Sequence, residues 1–111
     1  MKLIFTTSGN DLDALLDPSF GRARNFLLYD LESGASRVIS NQQNLNAAQG
    51  AGIQAAQTIV KAGANALVTG HCGPKAFRVL AAAGIKVYNT DASTISEALT
   101  RYRAGQLTEA T

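Results

Sequence analysis

The sequence predicts a mixed α/β domain: one five-stranded sheet with an early antiparallel hairpin, later parallel crossovers and flanking helices. Three observations carry this. Two short apolar runs, Phe26–Asp30 and Ser36–Ser40, are joined by a link, Leu31–Ala35, whose Gly34 suits the positive φ of a hairpin turn. From Gly50 onward apolar residues recur at helical spacing. Helical and strand patterns then alternate to the end, as parallel strands require, because each needs a crossover between them. At 111 residues the chain fits one domain, 1–111, since a split would leave both halves too small for a core.

The elements follow in order. Lys2–Thr6 is the first strand, and Ser8–Pro18 is a polar loop interrupted by Leu12, Leu15 and Leu16, with room for one helical turn. The hairpin strands come next. Asn41–Gln49 is rich in amides and poor in apolar anchors, which predicts a long mobile connection. Ile53, Ala56, Ile59 and Val60 share a helix face that Gly63 closes. Asn65–Thr69 is a buried strand, Pro74–Ala83 a helix capped by Gly84, and Ile85–Tyr88 the fifth strand. Ser93 caps a last helix with Ile95, Leu99 and Tyr102 on one face, and the polar residues after Gly105 are expected to fray.

Composition narrows the function. Hydrophobic residues make up 46% and charged ones 16%, which suits a globular interior and not a disordered chain. A net charge of +2 without a basic run, no Trp and few aromatics argue against a nucleic-acid surface. Met1–Phe5 runs at once into polar residues, so neither a signal peptide nor a membrane span is expected, and the cytoplasm is the expected location. One cysteine makes no internal disulfide and cannot supply the four thiolates that usually hold an iron–sulfur cluster.

The most chemically loaded stretch is Gly70-His71-Cys72-Gly73-Pro74-Lys75, where the only histidine and the only cysteine meet at the start of a helix. Unpaired helix N–H groups attract anions, and a thiolate beside an imidazole suits a soft metal. Ligands of open α/β sheets lie beyond the carboxyl ends of parallel strands, so the loops after Thr6, Thr69 and Tyr88 should converge there, with Ser8–Arg24 on the same rim.

With these pieces placed, four blocks carry a resemblance: Asp17–Ala23, Gly50–Ala56, Thr69–Phe77 and Ala83–Tyr88. In this order they resemble the dinitrogenase iron-molybdenum cofactor biosynthesis family over nearly the whole chain, closest to its orange-protein branch in anaerobic bacteria. The resemblance implies a compact ribonuclease H-like fold. It also implies a non-catalytic domain that stores or delivers a metal–sulfide cluster of molybdenum–copper or iron–molybdenum type, with a cluster-donating or cluster-accepting protein as a further partner. Many relatives carry a histidine just ahead of the Gly-Ala-Gly block, where this chain has Gln49.

A thiometallate cluster is a multiply charged anion, so its site needs N–H donors, positive charge and an apolar wall. Helix N-termini at Gly50 and Gly73 offer donors, and Arg22, Arg24 and Lys75 offer charge. Gly50, Gly52, Gly70 and Gly73 let the backbone approach bulky sulfides, Cys72 and His71 are the candidate metal ligands, and the Asn41–Gln49 segment can wrap a cluster. Two alternatives stand beside this. His71-Cys72 followed by Arg78 has the spacing of a thiolate phosphatase or sulfur transferase, although Pro74 removes one N–H from the required cradle and Val79 stands where a hydroxyl is usual. A cofactor-free partner-binding module is the other. A two-metal nuclease is not expected, because Asp11, Asp13, Asp17, Asp30 and Asp91 are not clustered on strands.

Overall fold

The structure, a computed structural model, describes residues 1–45 and 50–110, with only the backbone described at Asn44 and Leu45. Strands β1 (Lys2–Thr7), β2 (Asn25–Asp30) and β3 (Ser36–Ser40) are followed by helices α1 (Gln42–Leu45) and α2 (Ala51–Ala62). Then come β4 (Ala66–Thr69), α3 (Pro74–Ala82), β5 (Lys86–Asn89), α4 (Ile95–Arg103) and β6 (Thr108–Glu109). The sheet order is β3-β2-β1-β4-β5-β6. Pairing is antiparallel in β1–β2, β2–β3 and β5–β6, and parallel in β1–β4 and β4–β5.

The period-2 alternation of the central strands explains the three layers. Ile4, Phe26, Leu28, Leu67 and Val87 point to the face covered by α2 and α3 through Ala55, Ala56, Ile59 and Leu80. Their neighbours Leu3, Phe5, Leu27, Tyr29 and Val68 point the other way, beneath Ile95, Ala98 and Leu99 of α4. β1, β2 and β4 are buried on both faces, which is why they read as continuous apolar runs.

Four expectations need correction. The sheet has six strands, because Thr108–Glu109 pairs with β5 and the Ala110 N–H donates to the Val87 carbonyl at 2.8 Å. The predicted loop after β3 contains α1, and Asn41 is fully buried, its Nδ2 donating to the carbonyls of Ala23 (2.7 Å) and Gly21 (3.3 Å). The cap of α4 is Thr94, whose Oγ1 accepts from the Glu97 N–H, while the Glu97 carboxylate accepts from the Ser93 N–H. Finally, the inward face of α2 is Ala51, Ala55, Ala56 and Ile59, leaving Val60 39% exposed and Ile53 half-buried.

Candidate functional site

The site begins with three buried threonines at the carboxyl ends of β1 and β4. Thr6 Oγ1 donates to the Asp17 carbonyl at 2.6 Å and accepts from Thr69 Oγ1 at 2.9 Å; Thr7 Oγ1 donates to the Leu15 carbonyl at 2.7 Å. With the Asp17 N–H donating to the Thr6 carbonyl at 2.8 Å, these bonds tie the segment after β1 to the sheet ends. The segment then runs alongside the His-Cys turn: Ser19 bridges His71, and the Phe20 N–H donates to the His71 carbonyl at 3.2 Å. The predicted common rim for Ser8–Arg24 and the turn is therefore present.

That path brings Phe20 and Gly21 to the start of α2. A Cβ on Gly21 would lie 3.1 Å from the backbone of Gly52, and one on Gly52 would lie 3.4 Å from Ala76 Cβ on α3. Between these elements opens a cleft of about 540 Å³, lined by Phe20 and Gly21, by Gly50, Gly52 and Ile53 of the α2 end, and by Gly73, Pro74, Lys75 and Ala76 of the α3 end. The N-caps are Gly50 and Gly73, and among the described residues no side chain caps either helix. The N–H groups of Ala51, Gly52 and Ile53, and those of Lys75 and Ala76, consequently have no acceptor within their own helices. Lys75 is exposed, and among the described residues no carboxylate lines the cleft. Such a wall attracts anions and offers an apolar floor to something larger than a hydrated phosphate.

The remaining candidates fall elsewhere. His71 and Cys72 line a second groove of about 670 Å³ with Phe77, Arg78, Asn89 and residues 108–110, facing β5 and β6 instead of α2; Pro74 is common to both hollows. Arg22 and Arg24 are exposed and neither lines the cleft. Gly70 serves packing, since a Cβ there would lie 2.7 Å from Pro18 Cα. Of the Asn41–Gln49 segment expected to wrap a cluster, residues 46–49, Gln49 among them, lie outside the described residues, while Asn41 is buried. Phe20, Gly21, Ile53, Pro74 and Ala76 complete the cleft without having been singled out as site residues. The Asp17–Ala23 block pointed to the first two, while Ile53 was assigned to the core face of its helix.

Cys72 is half-buried against the core, and burial pushes its thiol up to about 11 from 9.0. A thiolate enzyme needs the opposite shift. Below pH 9 the thiol is neutral in folded and unfolded chains alike; as pH rises toward 11 only the unfolded chain ionises, so the stability this group confers is lost across that window. Iodoacetamide should therefore modify native Cys72 much more slowly than the urea-unfolded chain at pH 8, with the native rate climbing steeply as pH approaches 11; a mass-spectrometric time course measures it. Among the described residues no three His, Cys, Asp or Glu side chains come together as a metal site. No helix among them is long and apolar enough to cross a membrane.

Comparison with known proteins matches this architecture. The apo form of the orange protein from Desulfovibrio gigas is 41% identical, with a TM-score of 0.96 over 99% of this chain and 92% of that one. A NifB-like protein from Thermotoga is 34% identical, with a TM-score of 0.85 over 97% of this chain and 91% of that one. An uncharacterised protein of Methanocaldococcus jannaschii is 33% identical over 95 residues, 83% of this chain and 80% of that protein. Residues 1–105 match the family described as dinitrogenase iron-molybdenum cofactor, and the chain belongs to that family.

Proposed function

We propose that this domain binds a pre-formed anionic metal–sulfide cluster, of molybdenum–copper or iron–molybdenum type, in the cleft between the starts of α2 and α3, and stores or delivers it without catalysis. One observation carries the proposal: two helix N-termini without a side-chain cap and Lys75 converge on a cleft with apolar walls and, among the described residues, no carboxylate. Likeness to the apo orange protein supports it. The strand order β3-β2-β1-β4-β5, with β6 added at the edge, supports a ribonuclease H-like description of the fold. A cytoplasmic setting and a cluster-donating or cluster-accepting protein partner belong to the same proposal. Arg22 and Arg24, on the loop that delivers Phe20, add long-range attraction for the anion.

A cluster extending past Pro74 would meet the half-buried Cys72 thiol, a soft ligand for copper(I), with His71 beside it. The test is anaerobic reconstitution with tetrathiomolybdate and copper, followed by desalting, metal analysis and visible absorption. Wild-type protein should keep a coloured, stoichiometric species, and Lys75→Glu should weaken retention by about tenfold, the scale of one charge-assisted hydrogen bond. Cys72→Ser should lower the copper-to-molybdenum ratio; an unchanged ratio removes Cys72 from the site. A wild-type protein that leaves the column colourless and metal-free overturns the proposal in favour of a cofactor-free partner-binding module.

A further inference from the structure

We propose that Asn41 is a positioning residue for the cleft: its buried amide holds the Phe20–Gly21 wall against the start of α2. The consequence for binding rests on the cluster reading above; the placement of the wall does not. Asn41 follows β3 directly, and its N–H donates to the Arg24 carbonyl at 2.9 Å, extending the β2–β3 pairing by one step. The residue is fully buried, and its Nδ2 donates to the carbonyls of Ala23 at 2.7 Å and Gly21 at 3.3 Å. Both carbonyls lie on the irregular stretch ahead of β2, where no strand ladder supplies a donor. One amide nitrogen carries two hydrogens, which suits two acceptors; a carboxylate of the same shape would set oxygen against oxygen.

Gly21 lies so close to α2 that a Cβ on it would sit 3.1 Å from both Cα and N of Gly52. Phe20 and Gly21 also face Gly50, Gly52 and Ile53 across the cleft. On one side this wall is fixed by the Phe20 N–H donating to the His71 carbonyl, and on the other by Asn41. A wall anchored on both sides keeps its separation from the helix start before any ligand arrives, so binding meets little ordering cost there. Loss of the amide should loosen residues 20–24 and weaken retention, while the opposite face of the sheet, beneath α4, stays packed.

Hydrogen exchange read by mass spectrometry, beside cluster retention, tests this. Asn41→Ala is compared with Leu99→Ala, which removes core contacts on the α4 face far from the cleft and controls for lost stability alone. Exchange at residues 20–24 should accelerate in Asn41→Ala by about tenfold more than at β4, the scale of one hydrogen bond. After anaerobic loading with tetrathiomolybdate and copper(I), at a temperature where circular dichroism shows each protein folded, Asn41→Ala should retain about tenfold less molybdenum, whereas Leu99→Ala should retain as much as wild type. Asn41→Ser keeps one donor and should fall between; it carries the test if Asn41→Ala does not fold. Exchange at residues 20–24 that rises no more than at β4, or retention equal to that of Leu99→Ala, overturns the proposal. A wild-type protein that retains no molybdenum overturns the proposed function instead, and the exchange pattern alone then decides whether Asn41 holds the wall.

Discussion

Phe20→Ala is expected to lower the free energy of unfolding by about 3–5 kcal/mol, the range for truncating a buried aromatic ring, a large part of the stability of a domain of this size. Phe20 is only 2% exposed although it lies on the segment between β1 and β2 and not on a strand. Its ring packs against Phe26 of β2, centroids 5.7 Å apart at an interplanar angle of 35°, and belongs to the core cluster beneath α2 and α3. Removing it leaves a cavity that this segment cannot close, because Asp17 is bonded to Thr6 ahead of it and Asn41 holds Gly21 and Ala23 behind it. Urea unfolding monitored by circular dichroism measures the loss, and a change below about 1 kcal/mol would mean that the ring is not structural.

The same ring is also a wall of the cleft, so stability and binding can be separated at this position. Phe20→Leu keeps most of the buried volume and should cost under about 1.5 kcal/mol. It should also retain cluster in the reconstitution assay at temperatures where both proteins are folded, whereas Phe20→Ala should not. Binding lost in both variants would mean that the aromatic face itself contacts the cargo.

How much of this was legible in the sequence follows from which physical signal each part carries. The central strands and longer helices announce themselves by apolar period, because each buries a face large enough to need one. β6 does not: it is Thr108–Glu109, both exposed, and is held by backbone pairing to β5 that leaves no mark in side-chain pattern. Thr94 and Ser93 are equally good caps by type, and only the register of Glu97 decides between them. The threonine latch was invisible for a similar reason, since Thr6 and Thr69 are ordinary strand residues until β1 and β4 lie side by side.

The turn singled out in the sequence has residues on two separate hollows. Gly50, Gly52, Gly73 and Lys75 do come together, because each belongs to the start of a helix and two crossovers place those starts side by side. Cys72 and His71 precede the same helix by two and three residues, yet face β5 and β6. Spacing alone cannot report that difference, because the backbone direction before an N-cap is set by the strand that feeds it and by Pro18 pressing on Gly70.

That contact yields the second large expected effect. Gly70→Ala should destabilise the fold by about 1–3 kcal/mol, because its Cβ would lie 2.7 Å from Pro18 Cα and 2.8 Å from the Pro18 carbonyl oxygen. Both atoms are backbone, so no rotamer change relieves the clash; β4 and the segment after β1 must part. Parting them strains the Ser19–His71 bridge and the bond from the Phe20 N–H to the His71 carbonyl, and so moves Phe20 away from the cleft. Gly73→Ala, the same chemical change three residues along, meets nothing within 4 Å among the described residues and is expected to cost under about 1 kcal/mol, the N-cap preference for glycine being partly offset by the stiffer unfolded chain. A clearly larger loss for Gly70→Ala in parallel urea titrations would show that the Pro18 contact, and not the change of residue type, sets the cost. If both variants destabilise alike, the Pro18 contact is not what holds position 70 to glycine.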